Sequence, residues 1–264
     1  MANFSNQIKK APALFIGHGS PLNIVEQNEF SRGWDEISKK LVTLPIKAIV
    51  ILSAHWYTSL TRVNDMPNPP LVYDIYGFPK SIYSLKYPVN GNPELAQRLK
   101  KILGKDTQID NSWGLDHGVW GPLLHLFPEA NIPLVQVSID RMATPAAHFR
   151  LGKILGELRK EGIMIIGSGD IVHNLSFLNW DKTDGYPWAD EFDAYVKSAI
   201  LSRDYQKTVN FQKAGLASKY AFVTPEHYAP LLYVLGAAFD DDQIEVFNDR
   251  RIFGSVSMTS YLFS

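Results

Sequence analysis

Four short stretches of the chain are apolar at successive positions rather than at alternate ones: ALFIGHG (13–19), KAIVILSAHW (47–56), IPLVQVSID (132–140) and GIMIIGSGD (162–170). Continuous runs of this length, rich in Ile and Val, belong to strands covered on both faces, as in the parallel sheets of layered proteins. Elsewhere the apolar period lengthens to that of a helix. PELAQRLKKILG (93–104), AAHFRLGKILGELRKEG (146–162), ADEFDAYVKSAILSRDYQKTVNF (189–211) and PEHYAPLLYVLGAAF (225–239) all read as helices. In the second, Phe149, Ile154, Leu155 and Leu158 form the apolar stripe, leaving Lys153, Glu157, Lys160 and Glu161 for the wet side. The closing segment, EVFNDRRIFGSVSMTSYLF, mixes aromatic and β-branched residues with turn signals and predicts an antiparallel pair. The expectation is an α/β fold: one layered domain over residues 1–264, with a central, mainly parallel or mixed sheet flanked by helices. Ligands of such folds sit at the carboxyl ends of the strands, so the residues there are where chemistry is sought.

NDMPNPPLVYDIYGFP (64–79), with four prolines, predicts a long surface excursion of the kind that often carries binding residues. Composition then works by exclusion. Lys plus Arg total 26 against 27 Asp plus Glu, a net charge of -1, which offers no general attraction to nucleic acid or an anionic membrane. No stretch approaches the roughly 18 uninterrupted apolar residues of a membrane span. The start, MANFSNQIKKAPALFIGHG, lacks the apolar core and cleavage site of a secretory leader, so a cytoplasmic protein is expected. Cysteine is absent, which excludes disulfides, iron-sulfur clusters, thiolate zinc sites and a cysteine nucleophile. Chemistry is left to His, carboxylates, Ser, Lys or Tyr.

Seven histidines stand out, and their positions are unequal. His18, His55 and His173 fall at or just past the ends of predicted strands, each among small residues that leave room for a ligand. His227 follows Thr224-Pro225-Glu226, where Thr224 is a natural N-cap and Pro225 a natural first helical residue, so a helix starting there aims His227 into the same crevice. A lone strand-end histidine is equally well explained by a structural bond to a backbone carbonyl. Several imidazoles gathered in one crevice repel one another as cations, and a shared divalent ion is the usual reason for holding them neutral. Without thiolates such a donor set suits zinc or non-haem iron(II), and spacing does not separate the two. His117, beside Asp116 in SWGLDHGVWGPLLHLFP, reads equally as an acid/base or substrate contact and as a structural residue. Asp116 either orients a ring or caps the helix that follows. His125 reads as packing within an apolar helix, and His148 as an inert residue on a soluble helix face. Ser20 reads as a helix cap, since no G-x-S-x-G elbow surrounds it. GSGD (167–170) lacks the fingerprints of a phosphate loop, so its glycines are expected to pack around His173.

Taken in order, FIGHGSP (15–21), LSAHW (52–56), LDHGVWGPL (115–123), GSGDIVHNL (167–175) and TPEHYAPLL (224–232) resemble the motifs of the 4,5-DOPA extradiol dioxygenase type, within the class III (LigB-like) extradiol ring-cleaving dioxygenases. The resemblance implies an α/β fold with one metal at the strand ends, and cleavage of a catechol next to its hydroxyl pair by insertion of both atoms of dioxygen. It implies His18 and His55 as two metal ligands and His227 as the third. His173 matches a residue placed to be a fourth ligand in a zinc-loaded resting state, or an acid/base when substrate binds; His117 matches one that lines the substrate side. Zinc is expected in the protein as isolated and iron(II) for turnover. Better-known relatives use a carboxylate as third ligand, and here Glu226 is adjacent to His227. Trp56, Trp113, Trp120 and Tyr228 are candidates to stack on the substrate ring, each in competition with core packing. The partners implied are a catechol and O2, without nucleic acid or membrane, and the oligomeric state is not readable. Two other functions stand beside this one: a zinc hydrolase, in which three imidazoles lower the pKa of a bound water, and a Memo-like peptide-binding protein of the same superfamily.

Overall fold

The computed structural model describes residues 10–264; residues 1–9, on which part of the leader reading rests, lie outside the described residues. The first two apolar runs form β1 (Ala13–Gly17) and β2 (Ala48–Thr58). Two-residue strands β3 (Arg62–Val63) and β4 (Gln108–Ile109) follow, then the other two runs, β5 (Leu134–Asp140) and β6 (Ile163–Gly169). The chain closes with β7 (Ile244–Phe247), β8 (Arg251–Ile252), β9 (Val256–Ser257) and β10 (Ser260–Phe263). Among the described residues the main sheet has eight strands in the order β4-β3-β5-β2-β6-β1-β10-β7. Its centre, β5-β2-β6-β1, is parallel. Antiparallel pairing of β3 with β5, and of β10 with both β1 and β7, makes the whole sheet mixed. The closing segment thus holds the expected antiparallel pair as β7 and β10, and a second small one as β8 and β9.

Successive side chains of the central strands point to opposite faces and feed two cores. Phe15, Val50, Val137 and Ile165 enter one, Leu14, Ile16, Ile51 and Ile166 the other. Helices α1 (Glu29–Leu41), α2 (Pro93–Ile102), α3 (His117–Leu126) and α4 (Pro145–Glu157) are followed by α5 (Pro187–Leu201), α6 (Tyr205–Val209), α7 (Leu216–Ala221) and α8 (Ala229–Ala237). The Leu14 side is covered by α1 and α3, the Phe15 side by α2, α4, α5, α7 and α8. Glycines set the closest helix crossing. A Cβ on Gly152 of α4 would lie 2.2 Å from the Tyr233 carbonyl of α8, and one on Gly236 would lie 2.1 Å from that of Phe149. No helix among the described residues is long and apolar enough to cross a membrane.

Several local readings are corrected. The expected helix over 189–211 breaks after α5 because Arg203 takes a left-handed φ of 57°, which an L-residue helix cannot continue. The helix expected from Pro225 starts at Ala229 instead. Tyr228 N and Ala229 N both donate to the Pro225 carbonyl, so Thr224 caps no helix and His227 lies in a single turn ahead of α8. In α4 the buried stripe runs through His148, Phe149, Gly152, Leu155 and Gly156, which leaves Ile154 39% exposed. The 64–79 excursion is only partly on the surface: Leu71 pairs with Leu115 and Ile75 is buried, which draws Asp74 inward.

His148 is not on a soluble face; it is buried, and its Nδ1 is hydrogen-bonded with the Tyr233 hydroxyl at 2.9 Å. Burial, partly offset by Asp140, lowers its pKa to about 4. A folded-state pKa below the unfolded value of about 6.5 keeps the ring neutral when folded, so its contribution is complete above pH 6.5 and is lost as pH falls towards 4. The full loss corresponds to about 3 kcal/mol at roughly 1.4 kcal/mol per pKa unit. Urea unfolding of wild type and His148→Asn at pH 7 and pH 4.5 is expected to show a flatter pH response in the variant. Equal slopes would mean that His148 is charged in the folded protein.

Candidate metal centre

The chain leaves β1 at Gly17, where a Cβ would lie 2.6 Å from the Met258 backbone, and turns through Gly19 at φ +56°, a conformation open to glycine at little cost. His18 stands between them. Ser20 caps the short 3-10 turn that follows, as expected. His55 lies inside β2 rather than beyond its end. Between Leu52, paired with Val137, and Tyr57, paired with Ile139, the register of β2 slips against β5, and this irregularity releases His55 from the ladder. His227 occupies the turn before α8, His117 opens α3, and His173 lies past β6 on isolated bridges to Phe222 and Val256.

These elements bring His18, His55 and His227 together. Their ring centroids are 4.8 Å (His18 to His55), 5.3 Å (His18 to His227) and 5.2 Å (His55 to His227) apart, and one nitrogen from each lies within 4.8 Å of the others. Each Nδ1 meets an oxygen. Ser168 Oγ is 3.0 Å from that of His18, Asp116 Oδ1 3.2 Å from that of His55, and Glu226 Oε1 3.1 Å from that of His227. The Ser168 hydroxyl donates to the Gly118 carbonyl at 2.5 Å, so towards His18 it acts as acceptor. An acceptor at Nδ1 holds the ring proton there and leaves Nε2 as the donor atom for a metal. Glu226 is thereby turned to the far nitrogen of His227.

Asp116 fills both roles open to it. Its Oδ1 caps α3 through Gly118 N at 3.1 Å and accepts from Ser53 Oγ at 2.6 Å as well as from His55; its Oδ2 accepts from Gln136 Nε2 at 2.7 Å and Trp113 Nε1 at 3.2 Å. Burial pushes this carboxyl up, but the hydrogen bonds of His55 and Ser53, with the charge of His55, bring it down to about 2. Packing is equally close: a Cβ on Gly118 would stand 2.9 Å from His55 Nδ1. Asp116→Asn is expected to lower metal affinity about 10- to 100-fold, the usual cost of losing a group that orients a ligand. Metal titration of the apoprotein measures it, and unchanged affinity would detach Asp116 from the site.

His117 stacks on His55 at 4.2 Å, and Asp74 Oδ1 accepts from both its backbone N and its Nδ1 at 3.0 Å. His173 lies face to face with His227 at 3.6 Å and 12°, in a second grouping with Asp170 rather than in the His18, His55, His227 trio. Burial, followed by repulsion among the rings, holds His18 and His227 well below the ordinary histidine range and His173 at about 4. Burial and His55 also lower His117, against the pull of Asp74. For His55 burial is outweighed by Asp116, Asp74 and Glu226, and its pKa is raised. Beside these rings, Asp170 Oδ2 and Glu226 Oε2 are buried without a hydrogen-bond partner, although Asp170 Oδ2 stands 3.4 Å from His18 Nε2. Mainly neutral imidazoles next to unpartnered carboxylate oxygens fit a divalent cation, and nitrogen donors suit zinc or iron(II).

A cavity of about 410 Å³ opens on this cluster and is lined by His18, His55, His117, His173, His227 and Asp74 among others. Two expected substrate contacts do not reach it. Trp56 is buried because it neighbours His55 on a strand and takes the opposite face. Tyr228 is fully buried among Phe192, Phe211 and Phe222, its hydroxyl donating to the Thr208 carbonyl at 2.9 Å. Trp113 is bound to Asp116, and Trp120 is buried with its Nε1 donating to the Val72 carbonyl at 3.0 Å. The GSGD glycines pack on the α8 side and not around His173: a Cβ on Gly167 would meet the Pro230 carbonyl at 2.5 Å, one on Gly169 that of His227 at 2.1 Å. His125 ties α3 to Asp35 at 2.9 Å and to the Ile24 carbonyl at 3.2 Å, away from the site. Sequence reasoning missed Asp74, Trp180 and Phe253 as lining residues.

A family model described as the catalytic LigB subunit of aromatic ring-opening dioxygenase matches residues 12–264. The chain belongs to the LigB family. It is 43% identical to 4,5-DOPA dioxygenase extradiol of Escherichia coli strain K12, over 95% of this chain and 94% of the relative. The protein of the same name from Beta vulgaris is 34% identical over 95% of each. A crystal structure of an uncharacterized protein from Escherichia coli K12 matches with a TM-score of 0.84 and 39% identity, covering 97% of this chain and 100% of that one. The mixed α/β sheet is that of a LigB protein, and the motifs identified the family correctly. LigB dioxygenases use a metal, and this LigB chain has a histidine group able to bind one.

Proposed function

We propose that the chain is an extradiol dioxygenase that opens a catechol next to its hydroxyl pair and places both oxygen atoms of O2 in the product. In this reading it is a single domain over residues 1–264, acting in the cytoplasm, with one divalent metal held by His18, His55 and His227. Iron(II) is the ion of turnover and zinc that of the resting protein. The observation that carries the reading is the trio of imidazoles, each with an acceptor on Nδ1, facing a cavity in a LigB fold. The name shared by the relatives makes DOPA the reference catechol.

A metal bound there supplies Lewis acidity and electron exchange between catechol and dioxygen. Proton handling falls to the chain's own residues. Asp74 fixes the Nδ1 proton of His117, so His117 Nε2 receives the second catechol proton while the carboxylate balances the charge; the same nitrogen returns the proton as the ring opens. His173 is the second proton-handling residue with substrate bound, and the fourth nitrogen donor when zinc is.

Anaerobic reconstitution with iron(II) or zinc, followed by catechol and an oxygen electrode, tests this. Iron-dependent uptake of one O2 per catechol, with the absorbance of a ring-opened product, is expected. Zinc-dependent ester hydrolysis without oxygen would make the protein a hydrolase. Metal-loaded protein that turned over no catechol but bound a peptide in the cavity would restore the Memo-like reading.

A further inference from the structure

The cavity over the histidine cluster has two unlike halves. Its inner half carries the imidazoles and Asp74, and the rest of its wall includes Ile75, Phe78, Leu175, Leu178, Trp180 and Phe253. Leu175 and Trp180, 62% and 60% exposed, put this apolar half at the mouth. Among the described residues no Lys or Arg lines the cavity. The carboxylate of Asp74 lies among the histidines, with Oδ1 already accepting from two donors of His117. Cations are found next door: Lys182 and Arg250 line a separate cavity of about 330 Å³ that shares Ser20, Trp180 and Phe253 with the first. The rings of Trp180 and Phe253, 4.9 Å apart, stand as the partition. Lys182 is paired with Asp184, and Arg250 with Glu29 at 2.8 Å.

A catechol held by its two oxygens at the cluster directs its ring substituent towards the apolar mouth. A charged tail there finds no cationic partner, whereas an alkyl or aryl tail gains by burial against the apolar wall. We infer that the preferred substrate is a catechol with an uncharged, apolar ring substituent, and that the amino-acid tail of DOPA is tolerated rather than recognised. The inference rests on the ring-opening function proposed above and names the substrate class of that site.

Three catechols of similar length separate the possibilities: 4-propylcatechol, 3-(3,4-dihydroxyphenyl)propionate and DOPA. With iron-loaded protein, kcat/KM for 4-propylcatechol is expected to exceed that of either charged compound at least about tenfold, mostly through KM. Leu175→Arg, a substitution at an exposed rim position, is expected to raise kcat/KM for the propionate several-fold relative to 4-propylcatechol. Calorimetric binding of the same compounds to zinc-loaded protein under nitrogen ranks them without turnover and is expected to give the same order. Charged compounds that bind and react as well as 4-propylcatechol would overturn the inference while leaving the ring-opening function intact. Absence of oxygen uptake with all three, alongside tighter binding of 4-propylcatechol, would overturn that function and leave the preference of the cavity standing.

Discussion

His227→Ala is expected to leave the protein folded, unable to retain iron(II) and without oxygen uptake above background. For iron(II) the trio offers three nitrogens, so losing one leaves His18 and His55 as a two-point site. Beyond the stack of His173 on its face, little else depends on the ring. Asp170 N donates to the His227 carbonyl at 2.9 Å and Gly169 packs against the same carbonyl, and alanine keeps that backbone in place. Glu226→Gln is the milder companion: it retains the ring, removes the charge at its Nδ1, and is expected to cost about 10- to 100-fold in metal affinity. Elemental analysis after gel filtration, an oxygen electrode and circular dichroism together read these outcomes. Full metal content and turnover in His227→Ala would move the third donor elsewhere. Asp170, whose Oδ2 is buried and unpartnered, is the nearest alternative.

The sheet was legible because each buried strand needs apolar side chains on both faces, which leaves a short continuous run such as IVIL or IMII, richer in β-branched residues than the equally apolar run of α8. His18 was legible for the same reason, since a strand end in an α/β layer is where a ligand meets the sheet, whereas His55 reaches the cluster through a register slip inside β2 that its run does not mark. What failed was whatever depends on a partner distant in sequence. Asp74 lies in a proline-rich excursion with no local mark of its role, and only the pairing of Leu71 with Leu115 carries it to His117. His148 looked wet because Lys and Glu dominate its helix, yet the glycines at 152 and 156 reveal the buried stripe once α8 is known to press there. Trp56 and Tyr228 are aromatics beside candidate ligands, but side chains next to one another on a strand face opposite ways, and a turn gives no better assurance. The direction of Glu226 was equally hidden, because one backbone turn decides whether its carboxylate meets a metal or the far side of a ring.

His117→Gln is expected to lower kcat by about two to four powers of ten, the usual cost of removing a general acid or base, without loss of metal. Its ring lies outside the His18, His55, His227 trio, so metal content separates a role in proton transfer from one in binding. A variant that lost its metal would place the ion in the neighbouring grouping of His55, Asp74 and His117. Asp74→Asn is expected to cost about 10- to 100-fold, because the amide still fills the space but no longer balances the charge of a protonated ring. The two residues act as one unit in this mechanism, which makes their effects non-additive. Once His117 is gone, Asp74 has no imidazolium to stabilise, and the double variant is expected to be about as slow as His117→Gln alone. A double variant slower by the product of the two single effects would show that Asp74 serves the reaction by another route, with its Oδ2, 3.6 Å from His55 Nδ1, as the contact to test next.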